Sequence, residues 1–219
     1  GYGEIFRRNV AASGLIPQIA VIAGPTAGGA SYSPSLMDFI VMVKGLATTF
    51  ITGPRVIKEV TGEEIDVQSL GGTDVHGPLS GVASIVVDSE EGCFETVRRL
   101  LSYLPQNNLE EPPGYDPIEP LRSADGVIPD DPRAAYDIRT LVESIADGGS
   151  FTEIQPDFAR NAVVGFARIR GKSVGLVASQ PMYMAGCLDI DSSDKIARHV
   201  RFCDAFYLPI VTLQDVPGY

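Results

Sequence analysis

Ile19-Ala20-Val21-Ile22-Ala23-Gly24-Pro25-Thr26-Ala27-Gly28-Gly29-Ala30 sets a short apolar run against a glycine-rich loop. A run of this length bounded by turn residues reads as a buried strand. The loop then opens a helix, expected over Ala30 to Met37. Upstream, Gly3 to Ser13 reads as a helix with Ile5, Phe6 and Val10 on one face, followed by Gly14 and Pro17. Helix, turn, buried strand, loop and helix in that order define an α/β chain. Free backbone N–H groups converge where such a loop enters its helix, and glycine lets a ligand approach without a Cβ in the way. Residues 24–30 are therefore a candidate oxyanion cradle, with tight strand-to-helix packing as the other use of Gly28-Gly29.

Downstream, Phe39 to Val43 and Thr48 to Thr52 read as short strands, the second closed by Gly53-Pro54, and Arg55 to Val60 as a helix. A glycine-rich segment, Gly71 to Gly77, precedes a strand at Val82 to Val87. Asp88-Ser89 caps a helix over Glu90 to Leu104 with Cys93, Val97, Leu100 and Leu104 on its apolar stripe. Pro105 to Pro132 holds seven prolines among acidic residues, the composition of a linker or surface wrap. A helix is expected over Asp137 to Ala146, then β-rich runs at Phe151 to Gln155, Ala162 to Ile169 and Ser173 to Ala178. The last two flank Arg170-Gly171-Lys172 and should pair as a hairpin. Ser192 to Phe206 follows as a helix with Ile196, Val200 and Cys203 on one face, then Pro209 to Leu213 as a strand. Glu4 to Ala23 and Lys195 to Leu213 share this helix-to-strand plan, which two copies of one α/β domain would explain.

Composition narrows the function. The 219 residues suffice for one large or two small domains with a buried core. Seventeen Lys+Arg against 28 Asp+Glu give a formal charge of -11, so the basic footprint of nonspecific nucleic-acid or anionic-membrane binding is missing. The apolar runs fall far short of a bilayer span. Cys93, Cys187 and Cys203 have no CxxC spacing and lie in apolar surroundings, which predicts reduced thiols and no zinc site. His76 and His199 are too few for a His-rich metal site, and His76, beside glycines and Pro78, reads as a structural hydrogen-bonder. Gly77-Pro78-Leu79-Ser80-Gly81 places its serine one step late for a nucleophile elbow. Gly165 to Ser173 looks like a phosphate loop but has one residue too many and sits between two strands. The chain starts at Gly1 and stops just past a strand, so an internal piece of something longer is expected.

Six segments carry a resemblance. Gly24-Pro25-Thr26-Ala27-Gly28-Gly29-Ala30-Ser31-Tyr32-Ser33-Pro34, Phe50-Ile51-Thr52-Gly53-Pro54 and Leu100-Leu101-Ser102-Tyr103-Leu104-Pro105-Gln106-Asn107-Asn108 are the first three. Gly186-Cys187-Leu188-Asp189-Ile190, Val200-Arg201-Phe202-Cys203-Asp204-Ala205-Phe206 and Asp215-Val216-Pro217-Gly218 complete the set. Together they resemble the carboxyltransferase (β) subunits of biotin-dependent acyl-CoA carboxylases, with propionyl-CoA carboxylases the nearest. Thr26 stands where cysteine is common, Tyr219 where phenylalanine is usual, and Gln180-Pro181-Met182-Tyr183 is a variant of its segment.

The resemblance implies an α/β crotonase-like (ClpP/crotonase) fold of ββα superhelices. It implies the end of a first carboxyltransferase domain at 1–112, a linker at 113–136 and the start of a second domain at 137–219. It further implies a hexamer built as a trimer of dimers, a biotin carboxylase and biotin carboxyl carrier partner, and a cytoplasmic location, or the mitochondrial matrix in a eukaryote. Carboxybiotin on the carrier and an acyl-CoA are the implied cofactor and substrate, with no metal, no nucleic acid and no membrane insertion. Gly28 and Gly29 match the family's oxyanion donors for the acyl-CoA carbonyl, with Thr26, Ala27, Ala30 and Tyr32 as substrate-binding neighbours. The expected reaction takes propionyl-CoA to methylmalonyl-CoA. Its rivals are the carboxyltransferase subunit of a sodium-pumping methylmalonyl-CoA decarboxylase and a structural fragment without activity of its own. In the family's usual scheme biotin, not a side chain, takes the α-proton, which agrees with the lack of a catalytic triad. Lys44, Arg55 and Lys58 are candidates for CoA phosphates, with solvent exposure as their other reading.

Overall fold

The structure is a computed structural model that describes residues 1–131 and 133–218. Pro132 of the expected linker and Tyr219 of the last resembling segment lie outside the described residues. The chain divides into two compact units, Gly1–Arg99 and Leu100–Tyr219.

The first unit opens with α1 (Tyr2–Ala12) and β1 (Ile19–Ile22), as the sequence predicts. A short strand, β2 (Pro25–Ala27), then appears inside what reads as a loop. It is followed by α2 (Gly29–Ser35), β3 (Phe39–Val43), β4 (Thr48–Phe50), α3 (Pro54–Thr61), α4 (Val67–Gly71) and α5 (Thr73–His76). β5 (Ile85–Val87) and α6 (Glu90–Leu101) complete the series, α6 running across the boundary between the units. β1, β3 and β5 form a parallel sheet in the order β1-β3-β5, and β2 pairs in parallel with β4. β3 is buried along its whole length, the pattern of a central parallel strand covered on both faces. Ala20, Ile22, Ile40, Met42, Ala47 and Ala83 form the core beneath it.

Two expectations for this unit change. The glycine-rich segment 71–77 folds mostly as the short helices α4 and α5, because Asp66 accepts from the N–H groups of Gln68 and Ser69 and starts the first of them. On α1 the buried residue is Asn9, while Ile5 and Val10 of the anticipated apolar face are exposed. Asn9 is affordable inside because its side chain is satisfied on both ends, as described below.

The second unit holds α7 (Ile138–Ile145), β6 (Thr152–Ile154), β7 (Ala162–Ile169), β8 (Lys172–Ser179), α8 (Ile190–Ala205) and β9 (Ile210–Leu213). The sheet order is β6-β7-β8-β9, antiparallel except for the parallel β8–β9 edge. The anticipated hairpin is there, with Ile169 opposite Lys172. Arg170 and Gly171 between them have φ 51° and 76°, the left-handed pair a type I′ turn requires. Asp147 secures the turn by accepting from the N–H groups of Arg170 (2.8 Å) and Gly171 (2.6 Å). The phosphate-loop look-alike is therefore a strand and its hairpin turn. Between α6 and α7 no described residue is helix or strand, yet the segment is pinned. Tyr115 N–H donates to the Gly171 carbonyl at 3.0 Å, and the Arg168 guanidinium lies between the Tyr115 ring (4.0 Å) and the Tyr103 ring (4.5 Å).

α8 buries a different stripe from the one anticipated. Lys195, His199, Phe202, Cys203 and Phe206 face inward, with Ile196 and Val200 only half-buried. Phe166 meets Phe202 edge-on at 5.9 Å and Phe202 meets Phe206 at a tilt at 4.8 Å, with His199 packed 5.0 Å from Phe166. Burial pushes the His199 imidazole down to about 4, opposed by a backbone hydrogen bond and reinforced by the Lys195 charge; the neighbouring Cys203 thiol is pushed up to about 12. Because the folded-state value lies below the unfolded one of about 6.5, the unfolded chain binds the extra proton between those two pH values. The neutral histidine's contribution is complete above pH ~6.5 and is lost as pH falls towards ~4, a loss of about 3 kcal/mol. Urea titrations between those pH values are expected to show it, and a His199→Phe variant that loses stability over the same window just as steeply would refute the assignment.

Candidate oxyanion site

β2 is what shapes the site. Its register places Thr26 opposite Thr49 and Ala27 opposite Phe50, so the loop after β1 hangs from β4. Gly28 then turns the chain with φ 59° and ψ -129°, a conformation open to glycine and strongly disfavoured for residues with a Cβ. Its N–H donates to the Phe50 carbonyl at 3.0 Å. The Ser31 hydroxyl shares its proton between the same carbonyl (2.9 Å) and that of Thr26 (3.2 Å), closing the turn from the helix side.

This arrangement separates the two glycines. The Gly28 amide is already used inside the fold, whereas the N–H groups of Gly29 and Ala30 have no hydrogen bond among the described residues. Gly28 sets the backbone direction, and the unbonded amides of the turn lie at Gly29 and Ala30. Thr26 and Ala30 are half-buried beside the turn, and Ala27 and Tyr32 are exposed. An ideal Cβ on Gly29 would lie 3.2 Å from the Tyr2 ring, so a larger residue there would have to push the ring aside by a few tenths of an ångström.

His76 backs the site from behind β4. Its Nε2 lies 2.8 Å from the Thr49 carbonyl, so that nitrogen carries the proton, and Nδ1 accepts from the Ser80 hydroxyl at 2.8 Å. Both ring nitrogens are thus engaged in holding structure. Arg55 pairs with Glu59 at 3.3 Å and Lys58 with Glu64, so both cations already have carboxylate neighbours, while Lys44 is exposed.

In the second unit, the resembling segment 186–190 proves to be a helix start. Asp189 caps α8, accepting from the Ser192 N–H, with the Ser192 hydroxyl back-bonded to the Asp189 N–H at 2.8 Å. Gln180 is fully buried, donating to Asp137 at 2.7 Å. Among the described residues no three His, Cys, Asp or Glu side chains cluster as a metal site, and no helix is long and apolar enough to cross a membrane.

Asn9 and Tyr2, which meet α2 at Ser33 and Gly29, are not singled out by the sequence. An asparagine on an otherwise apolar helical face is the one mark that could have drawn attention to Asn9; Tyr2 carries no such mark.

A parallel α/β core with unpaired amides at a strand-to-helix turn is compatible with several α/β folds, and likeness to solved structures identifies this one as crotonase-like. Transcarboxylase 12S, described as a hexamer with hydrolysed methylmalonyl-CoA bound, superposes with a TM-score of 0.95 at 47% identity over 100% of this chain and 44% of that one. A single-chain, multi-domain long-chain acyl-CoA carboxylase superposes with a TM-score of 0.85 at 26% identity, over 98% of this chain and 21% of that one. The chain belongs to the carboxyl transferase domain family, which matches residues 1–219. It is 54% identical to the propionyl-CoA carboxylase carboxyltransferase subunit of Haloferax mediterranei, over all of this chain and 43% of that protein. It is 50% identical to methylmalonyl-CoA decarboxylase subunit alpha of Veillonella parvula, over all of this chain and 44% of that protein. The chain thus spans less than half the length of these relatives.

Proposed function

We propose that this chain forms part of the acyl-CoA side of a carboxyltransferase that moves a carboxyl group from carboxybiotin to the α-carbon of a short acyl-CoA, taking propionyl-CoA to methylmalonyl-CoA. The observation that carries the reading is the unpaired Gly29 amide, with Ala30 beside it, at the turn after β2 in a chain of the carboxyl transferase family. Removing the α-proton of a thioester makes an enolate whose charge collects on the thioester oxygen. An N–H donor fixed before the reaction stabilises that charge without reorganising, and one such donor is worth about 10²–10³ in rate. Gly28 holds the turn, Gly29 and Ala30 donate, and Thr26, Ala27 and Tyr32 flank the acyl group. Carboxybiotin, delivered by a carrier subunit, supplies the carboxyl group; no residue of this chain is assigned to it.

The Veillonella relative supports a second reading, the same transfer run in reverse by a sodium-pumping decarboxylase. Under either reading the assembly is a homohexamer with a biotin carrier partner, in the cytoplasm or the mitochondrial matrix. In this reading residues 1–112 end a first domain, 113–136 link, and 137–219 begin a second; the lack of helix and strand among the described residues of 113–136 favours a linker there, whereas the compact units divide earlier, between Arg99 and Leu100. Residues 1–219 in isolation are expected to bind acyl-CoA without transfer. The deciding experiment mixes the full-length subunit with methylmalonyl-CoA and its biotinylated carrier, with malonyl-CoA in parallel, and follows both thioesters by chromatography. Carrier-dependent loss of methylmalonyl-CoA is expected; binding of both compounds with neither consumed would overturn the reaction.

A further inference from the structure

The geometry points to Tyr2 as the residue that limits the length of acyl chain accepted at the Gly29 amide, an inference that rests on the acyl-CoA reading above. The Tyr2 ring lies over Gly29, Cδ2 and Cε2 each 3.2 Å from the position of a Cβ there. Covalent geometry then puts the Gly29 nitrogen within about 6 Å of the ring. A thioester oxygen that accepts from that N–H lies about 3 Å from the nitrogen, so the acyl group on the same carbonyl carbon comes within reach of the ring.

The ring is held from behind. Tyr2 stacks on Phe6 with centroids 5.9 Å apart, and Phe6 meets Tyr32 edge-on at 5.7 Å, joining α1 to α2 through their aromatic residues. Asn9 locks the two helices in place. Its Nδ2 donates to Gln18 Oε1 at 2.9 Å, its carbonyl accepts from Gln18 Nε2 at 3.0 Å, and its Oδ1 accepts from the Ser33 hydroxyl at 2.9 Å. Supported in this way, Tyr2 still leaves 54% of its surface exposed, and its hydroxyl has no hydrogen bond among the described residues. A large ring that is fixed, half-exposed and adjacent to unpaired amide donors acts as a wall of a binding site. Each methylene that an apolar wall admits or refuses is worth about 10–200-fold in discrimination.

The test compares Tyr2→Ala, Tyr2→Leu and Tyr2→Phe in the full-length subunit assembled with its biotin-bearing partner, using propionyl-, butyryl- and hexanoyl-CoA. Tyr2→Ala is expected to raise the hexanoyl-to-propionyl ratio of kcat/KM by about tenfold or more, Tyr2→Leu by less, and Tyr2→Phe to leave it unchanged. Calorimetric Kd values for the same thioesters are expected to follow the same order. Unchanged ratios in both Tyr2→Ala and Tyr2→Leu, or a Tyr2→Phe shift as large as that of Tyr2→Ala, would overturn the inference. Should the wild type bind these thioesters but transfer no carboxyl group, the proposed reaction fails, while the Kd ratios still decide for or against Tyr2.

Discussion

Replacing Gly28 with valine is expected to lower carboxyl transfer by about 10²–10³-fold, the loss that follows from misplacing one oxyanion donor. The cause is conformational and not a matter of space, because the position of a Cβ on Gly28 has only the Ile51 carbonyl nearby, at 3.9 Å. A side chain cannot follow the backbone through φ 59° and ψ -129° without a strain of about 1–3 kcal/mol. The turn relaxes, its bond to the Phe50 carbonyl lengthens, and the next amide no longer points where the thioester oxygen develops charge. The fall should appear in kcat more than in KM, since the interaction strengthens as charge develops. Circular dichroism and steady-state kinetics on the full-length variant check it; wild-type rates with a native spectrum would remove the oxyanion role from this turn.

Lys195→Met should produce the largest loss of stability. Lys195 is 2% exposed, and its ammonium donates to the carbonyls of Gln155 (2.8 Å), Phe158 (2.7 Å) and Ala162 (2.8 Å), with Ala159 more distant at 3.4 Å. Burial pushes it down to about 8, so it remains protonated at neutral pH. Gln155 and Ala159 have φ 53° and 44°, and this cation is what gathers their loop around one centre. Methionine fills much of the space but leaves the carbonyls unpaired, at about 1–3 kcal/mol for each that water cannot reach. A drop of about 10 °C in melting temperature follows for a chain of this size. Scanning calorimetry measures it, and a shift below about 2 °C would mean that the loop does not depend on the cation.

These two residues also mark where sequence reasoning succeeds and where it stops. The turn at 24–30 was legible because an apolar run, glycines and a following helix leave a local signature. The separation of Gly28 from Gly29 was not, since it depends on β2, whose partner Thr48–Phe50 lies in a distant part of the chain. The 162–179 hairpin was readable from its own residues for the same local reason. Lys195 and Asn9 were missed because polar side chains read as exposed, and only the folded chain shows the acceptors and donors that make their burial tolerable. The α8 stripe shifts for this reason: Ile196 and Val200 are more apolar, yet Lys195 and His199 have the inward positions.

β8 has one antiparallel edge and one parallel edge, and the two differ in how the chain reaches them. The β7–β8 edge closes through Arg170-Gly171 alone, whereas the β8–β9 edge encloses residues 180–209. Closing the longer loop costs more chain entropy, and it is recovered only once α8 has docked on the sheet. The hairpin is thus a local unit able to form early, and the parallel edge is conditional on the helix. α8 packs against β7 and β8, so damage to it is expected to cost the parallel edge before the hairpin, because that edge alone closes across the helix-bearing loop.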